Sequence, residues 1–225
     1  MQGVTGLRSV RLWLMAALAV TVVGCASVDQ TGMRRLPERV ELNGGTFFRG
    51  NAHQSGPQVL ASMLGEQRIR ITPGLLTKPL KLPEAEASLQ GNMEQLAGQY
   101  GLMVYRLDPS LPALLTQVAA GHPVMVRFME GRVWTEPRYA VLAGYDRNKQ
   151  TVLLRAGMDR RLIMDFSKFE SRWKDAGSWA VLILSPDQVP VNVDKERWLK
   201  AANDLSRLGQ EQAAGKAIKA LQAQQ

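Results

Sequence analysis

Apolar residues follow two different periods along this chain. In its first half they recur every three to four positions, which predicts helices. These are Gln58 to Leu64, stopping at Gly65; Ser88 to Gln99, with Leu89, Met93 and Leu96 on one face; and Leu111 to Ala120, ended by Gly121. Beyond Gly121 they gather into short runs rich in β-branched and aromatic residues. Pro123 to Phe128, Tyr139 to Ala143, Val152 to Arg155, Arg161 to Met164 and Trp179 to Leu184 read as strands, with turn chemistry at Asp146 to Lys149. Helices first and antiparallel strands second imply an α+β domain, spanning residues 41–187.

Pro186 and Pro190 mark an exit from that domain, and helical spacing resumes over residues 194–224. Asp194 is placed to cap a first helix with Trp198, Ala201, Ala202, Leu205 and Leu208 on its apolar face. Gly209 breaks it, and Ala213, Ala214, Ala217, Ile218 and Leu221 line a second helix. The spacing resembles a single tetratricopeptide unit. One such unit cannot build a core, so the hairpin is expected to rest on the domain or to await a partner.

The chain has 225 residues, 45% hydrophobic and 21% charged, which excludes collagen-like, disordered and polytopic membrane classes. A single cysteine, Cys25, allows neither an internal disulfide nor a CxxC metal site. Two histidines, His53 and His122, make a His-rich metal centre unexpected, and the sequence calls for no cofactor. The net charge is +8 and the pI about 9.9.

The N-terminal 24 residues read as an address. Arg8 and Arg11 precede an apolar run from Leu12 to Val23, too short for a bilayer span of about 20 residues but suited to a secretory signal. The run closes on Val23-Gly24-Cys25-Ala26, which resembles a bacterial lipobox. The resemblance implies cleavage before Cys25 and its acylation, with palmitate-type chains holding the protein in the membrane. Ala26 after the cysteine favours the outer membrane, facing the periplasm. There nucleic acid is not an expected partner, and the basic charge would meet anionic lipid, cell-wall carboxylates or an acidic protein. Residues 25–40, carrying Arg34, Arg35 and Arg39, read as the lipidated N-terminus and a tether.

Two segments carry the chemical reading. Phe47-Phe48-Arg49-Gly50 and then Ser55-Gly56-Pro57-Gln58 lead into an apolar helix, and Arg138-Tyr139-Ala140-Val141-Leu142-Ala143-Gly144-Tyr145-Asp146 forms a strand after Trp134. Together they resemble the bacteriocin-processing, double-glycine-leader cysteine peptidases, in particular a lipoprotein branch with a tetratricopeptide-like extension. The Ser88 helix start, Gly121-His122-Pro123-Val124, Leu154 to Gly157, Phe169 to Trp173 and Trp179-Ala180-Val181 agree. The resemblance implies a papain-like fold. It also implies a cysteine at the helix N-terminus, where the dipole stabilises the thiolate, a histidine base on the facing strand and an upstream oxyanion glutamine.

This chain departs from the pattern at each of those positions. Ser55 stands for the cysteine, Arg138 for the histidine and Gly50 for the glutamine, and the acidic position falls near Ala156. A permanently charged arginine accepts no proton at neutral pH. No catalytic residue is therefore expected. Ser55 reads as a helix N-cap, Arg138 as a solvated charge or a carboxylate clamp, and Phe47, Phe48, Ser55, Trp134, Arg138 and Tyr139 as cleft-lining binding residues. Arg155, Arg160, Arg161, Lys168, Arg172 and Lys174 read as a solvated rim.

The favoured function is a catalytically silent, lipid-anchored protein that binds a peptide or protein in the envelope. One alternative is a hydrolase using Ser55 with His53 or His122 as base. The other is an envelope assembly scaffold acting through the C-terminal hairpin. The sequence leaves the oligomeric state open.

Overall fold

A computed structural model describes residues 33–51, 54–131 and 135–224. Its centre is one antiparallel sheet of seven strands: β1 (Arg39–Glu41), β2 (Met103–Arg106), β3 (Val124–Glu130), β4 (Glu136–Asp146), β5 (Thr151–Ala156), β6 (Asp159–Asp165) and β7 (Ala180–Leu184). The spatial order is β2-β7-β3-β4-β5-β6. Strand β1 pairs with the far end of β4, Val40 opposite Tyr145, beyond the stretch that β3 covers. Gly144 permits this approach, because a Cβ there would lie 2.6 Å from the Val40 carbonyl oxygen.

Alternation in the strands sorts side chains onto two faces, each covered by helices. Tyr139, Val141 and Ala143 of β4, with Val181 and Ile183 of β7, face α1 (Ser55–Glu66), α2 (Pro73–Thr77) and α3 (Leu89–Gln99). Ala140 and Leu142, with Leu182 and Leu184, face α4 (Leu111–Ala119), α5 (Phe166–Asp175), α6 (Lys195–Arg207) and α7 (Glu211–Gln222). A sheet covered on both faces needs strands apolar throughout, as the five buried residues of β7 are. The expected α+β architecture, helices plus antiparallel sheet with a helical hairpin behind it, is the one observed.

Several boundaries differ from the sequence reading. Helix α1 runs through Gly65 to Glu66, so the glycine stands in the last turn and not beyond the helix. The folded part begins before residue 41: Met33 is buried in the core, and β1 starts at Arg39, inside the segment read as tether. Strand β2 and helices α2 and α5 were not expected. The hairpin α6–α7 is no appendage: Trp198 is fully buried in the same core as Tyr105, and its indole N–H donates to the Ala217 carbonyl at 2.9 Å. Asp194 caps α6 as expected, accepting from Arg197 N–H at 2.8 Å.

Candidate functional site

The site begins at the first turn of α1. This helix is buried along its length from Ser55 to Leu64 because it lies flat on the sheet. Pro57 fits its first turn, where a backbone N–H would have no intrahelical acceptor. Gly56 lets α3 approach closely, since a Cβ there would meet Leu89 Cδ2 at 2.8 Å.

Ser55 is not the N-cap that the sequence suggested. Gln54 occupies that position with no side-chain cap, and Ser55 sits inside the helix, 4% exposed. Its Oγ accepts a hydrogen bond from the Tyr139 backbone N–H at 3.3 Å. The serine therefore bridges α1 to β4, directly beside Arg138. The two segments singled out in sequence meet here, 84 residues apart along the chain.

Arg138 is neither solvated nor free to clamp a ligand. Its side chain is 21% exposed, with Nε 3.3 Å from a Glu130 carboxylate oxygen and Nη2 3.7 Å from one of Glu136. The Nε–Glu130 approach is an ion pair without hydrogen-bond alignment. Glu130 and Glu136 are direct cross-strand partners, so two like charges face each other and Arg138 offsets part of their repulsion. Strand alternation places Arg138 with Ala140, on the sheet face opposite Tyr139.

Tyr139 packs edge-on against Trp179, ring centroids 5.7 Å apart at 84°. Burial is the largest cause pushing its phenol up to about 12. It is thus neutral at physiological pH and cannot serve as a base there. Trp179 donates its indole N–H to Glu94 at 2.8 Å, which makes it a wall of the helical face.

The loop before α1 closes the other side. The Gly50 N–H donates to Gly157 O at 3.3 Å, joining the loop to the end of β5. A Cβ built on Gly50 would overlap the side-chain amide of Gln58 and lie 3.3 Å from Gln54 Oε1. Gln58, 4% exposed and one turn along from Ser55, thus fills the space into which a glutamine at position 50 would project. Sequence reasoning passed over Gln58. Its signal was a long polar side chain one turn after Ser55, at the start of an apolar run.

Phe48 packs partly buried against the α1 face of the sheet, and Phe47 is half-buried. Trp134, His53 and Cys25 lie outside the described residues. Ala156 is buried and offers no carboxylate. Arg155 beside it is not part of a rim: it is 6% exposed, donating to the carbonyls of Leu42 and, at 2.6 Å, Gly44, with Glu66 3.9 Å away. His122 precedes β3. Arg127 is the register partner of Tyr139, and Val124 lies three residues further toward His122, so about 10 Å of strand separates the imidazole's segment from Ser55's partner. A general base needs contact near 3 Å. Burial lowers the His122 pKa, so it is neutral at pH 7. Among the described residues no group of three or more His, Cys, Asp or Glu side chains could hold a metal ion.

Comparison with solved structures shows the fold. The chain is similar to a C39-like peptidase from Bacillus anthracis, with a TM-score of 0.53 at 17% identity, covering 66% of this chain and 98% of that one. It is also similar to xylellain, a cysteine protease from Xylella fastidiosa, with a TM-score of 0.53 at 11% identity, covering 69% of this chain and 89% of that one. The fold is therefore that of C39-like, papain-like peptidases. No family model matches the chain, and no curated protein matches it.

Proposed function

We propose that this chain is a lipid-anchored envelope protein in which a peptidase fold binds a peptide or protein without cleaving it. One observation carries the reading: Ser55 Oγ accepts from the Tyr139 backbone N–H, and its neighbour Arg138 is tied to Glu130 and Glu136. A hydroxyl becomes a nucleophile when a base takes its proton. A backbone N–H cannot, and a guanidinium engaged by two carboxylates cannot either. The filling of the Gly50 space by Gln58 supports the same conclusion, because the position that would stabilise an oxyanion is taken up by internal contact.

Anchoring rests on the short apolar run ending at Cys25. Acylation there would hold the protein stably in the outer membrane, since two lipid signals already suffice. Among the described residues no helix is long and apolar enough to cross a membrane.

The test uses residues 25–225 with Cys25→Ser, which retains every described residue. A serine-reactive fluorophosphonate probe is expected to leave both this protein and its Ser55→Ala variant unlabelled while each is folded by circular dichroism. Labelling of the parent but not of the variant would overturn the non-catalytic reading in favour of a Ser55 hydrolase.

A further inference from the structure

One groove lies away from Ser55. It has a volume of about 580 Å³, and it runs between α3 and α6 along β2. Strand β2 is the edge of the sheet, paired only with β7. The Leu107 N–H donates to Ala180 O, continuing the β2–β7 register, so Met103, Tyr105 and Leu107 make the ladder bonds. Antiparallel alternation then turns the N–H and C=O of Val104 and Arg106 away from β7, toward the groove. The Arg106 carbonyl accepts from Arg197 Nη1 at 3.1 Å, which leaves the Val104 N–H, the Val104 C=O and the Arg106 N–H directed outward.

The geometry points to a docking site for an extended, acidic peptide segment that adds as a strand to β2. The inference rests on the reading of this chain as a peptide binder and assigns that role to a surface outside the Ser55 site. Strand addition supplies main-chain hydrogen bonds, and side-chain pockets on alternate positions supply specificity. The floor is apolar, with Leu102, Val104, Leu205 and Leu208. Of the four cations on the rim, Arg106 is paired with Glu94 at 2.9 Å and Arg197 with Asp108 at 2.7 Å, which leaves Lys200 and Arg207 to face the open groove. Lys200 and Arg207 share the single carboxylate of Asp204, at 2.7 and 3.2 Å. That excess favours carboxylates on the ligand.

Shape selects a peptide over a second copy of this chain. The edge is recessed between two helices, and α3 and α6 close on each other where a Cβ on Gly98 would lie 2.5 Å from Leu208 Cδ1. The same recess in a second copy keeps two β2 edges from meeting, while a slim strand can enter. A recessed edge also resists edge-to-edge aggregation. The wall on α3 includes Gly91, around which a Cβ would meet nothing within 4 Å. A larger side chain there enters the groove and leaves the fold alone.

The experiment uses ¹⁵N-labelled residues 25–225 with Cys25→Ser. The probe is a fluorescein-labelled heptapeptide of alternating Glu and Val, beside a Lys-Val counterpart. The Glu-Val peptide is expected to bind saturably below ~1 mM, about tenfold more tightly than the Lys-Val peptide. Binding should slow hydrogen exchange of the Val104 and Arg106 amides. Gly91→Phe, and separately Lys200→Glu with Arg207→Glu, should each weaken binding about tenfold while the unliganded spectrum away from the groove is kept. The proposal is overturned by absence of saturable binding, by equal binding of the two peptides, or by binding that leaves the Val104 amide exchanging freely. Self-association that protects Val104 without peptide would overturn it in favour of a dimer. Ser55 labelling by fluorophosphonate would sink the non-catalytic reading and leave the groove standing, so the two fail separately.

Discussion

The hydroxyl of Ser55 and the backbone N–H of Tyr139 form a 3.3 Å hydrogen bond that ties the first turn of α1 to β4. Both groups are buried, so the bond removes a polar penalty on each side. The serine thus holds the two segments together.

Ser55→Ala should therefore destabilise the protein, by about 1–2 kcal/mol, because the Tyr139 N–H is left unpaired in a buried site. Urea denaturation of the two proteins checks this. An unchanged midpoint would mean that water reaches the amide.

Gly50→Gln should be destabilising by about 1–3 kcal/mol, because the new side chain must enter the space of the Gln58 amide. Gln58→Ala in the same chain should relieve most of that loss. A double-mutant cycle with no coupling between positions 50 and 58 would contradict the shared space.

Stability should fall in alkali through Tyr139. Its pKa is 10.0 unperturbed and about 12 in the folded protein, chiefly from burial. A raised pKa means that the folded state keeps the proton longer. Stability is therefore intact below pH 10 and erodes as pH climbs toward about 12, by about 2–3 kcal/mol from this group. Burial also raises Tyr105 and Tyr145, so the measurement is the difference between the parent and Tyr139→Phe. The variant should show a shallower decline between pH 9 and 12.

Arg155→Met should cost about 3–5 kcal/mol, read as a lowered denaturation midpoint. It removes the donor to the Leu42 and Gly44 carbonyls and leaves Glu66 without its partner. Arg161→Met, by contrast, breaks a half-exposed pair with Glu41 and should change stability by less than about 1 kcal/mol.

Trp198→Ala should cost about 3–5 kcal/mol, because the indole is fully buried against Tyr105, ring centroids 6.1 Å apart. For the same reason a chain ending at Pro190 exposes the Tyr105 face of the core. It should fail to give a cooperative unfolding transition, so removal of the hairpin cannot report on partner binding alone.

Much of this architecture was legible along the chain. Periodicity marked α1, α3, α4, the hairpin and the strands from β3 onward, because each buries a whole face and its spacing shows in the residues. Strand β2 escaped because it stands alone between two helices, with its only partner, β7, far along the chain. Helix α5 escaped because its apolar residues, Phe166, Phe169 and Trp173, sit among charges.

The resemblance on Ser55, Gly50 and the Arg138 strand pointed to a papain-like arrangement, and local chemistry alone showed that neither a thiol nor an imidazole stands at those positions. What Arg138, Arg155 and Gln58 do was decided only by tertiary structure. A guanidinium reads the same in sequence whether it meets water, a cross-strand pair of glutamates or two loop carbonyls. Gln58 and Gly50 share a space only because a loop and a helix meet. The β2 groove arises the same way: an edge strand becomes a recess only when α3 and α6, a hundred residues apart in sequence, close on either side of it. Local composition sets which residues leave water, and the three-dimensional meeting of distant segments sets what each polar group finds there.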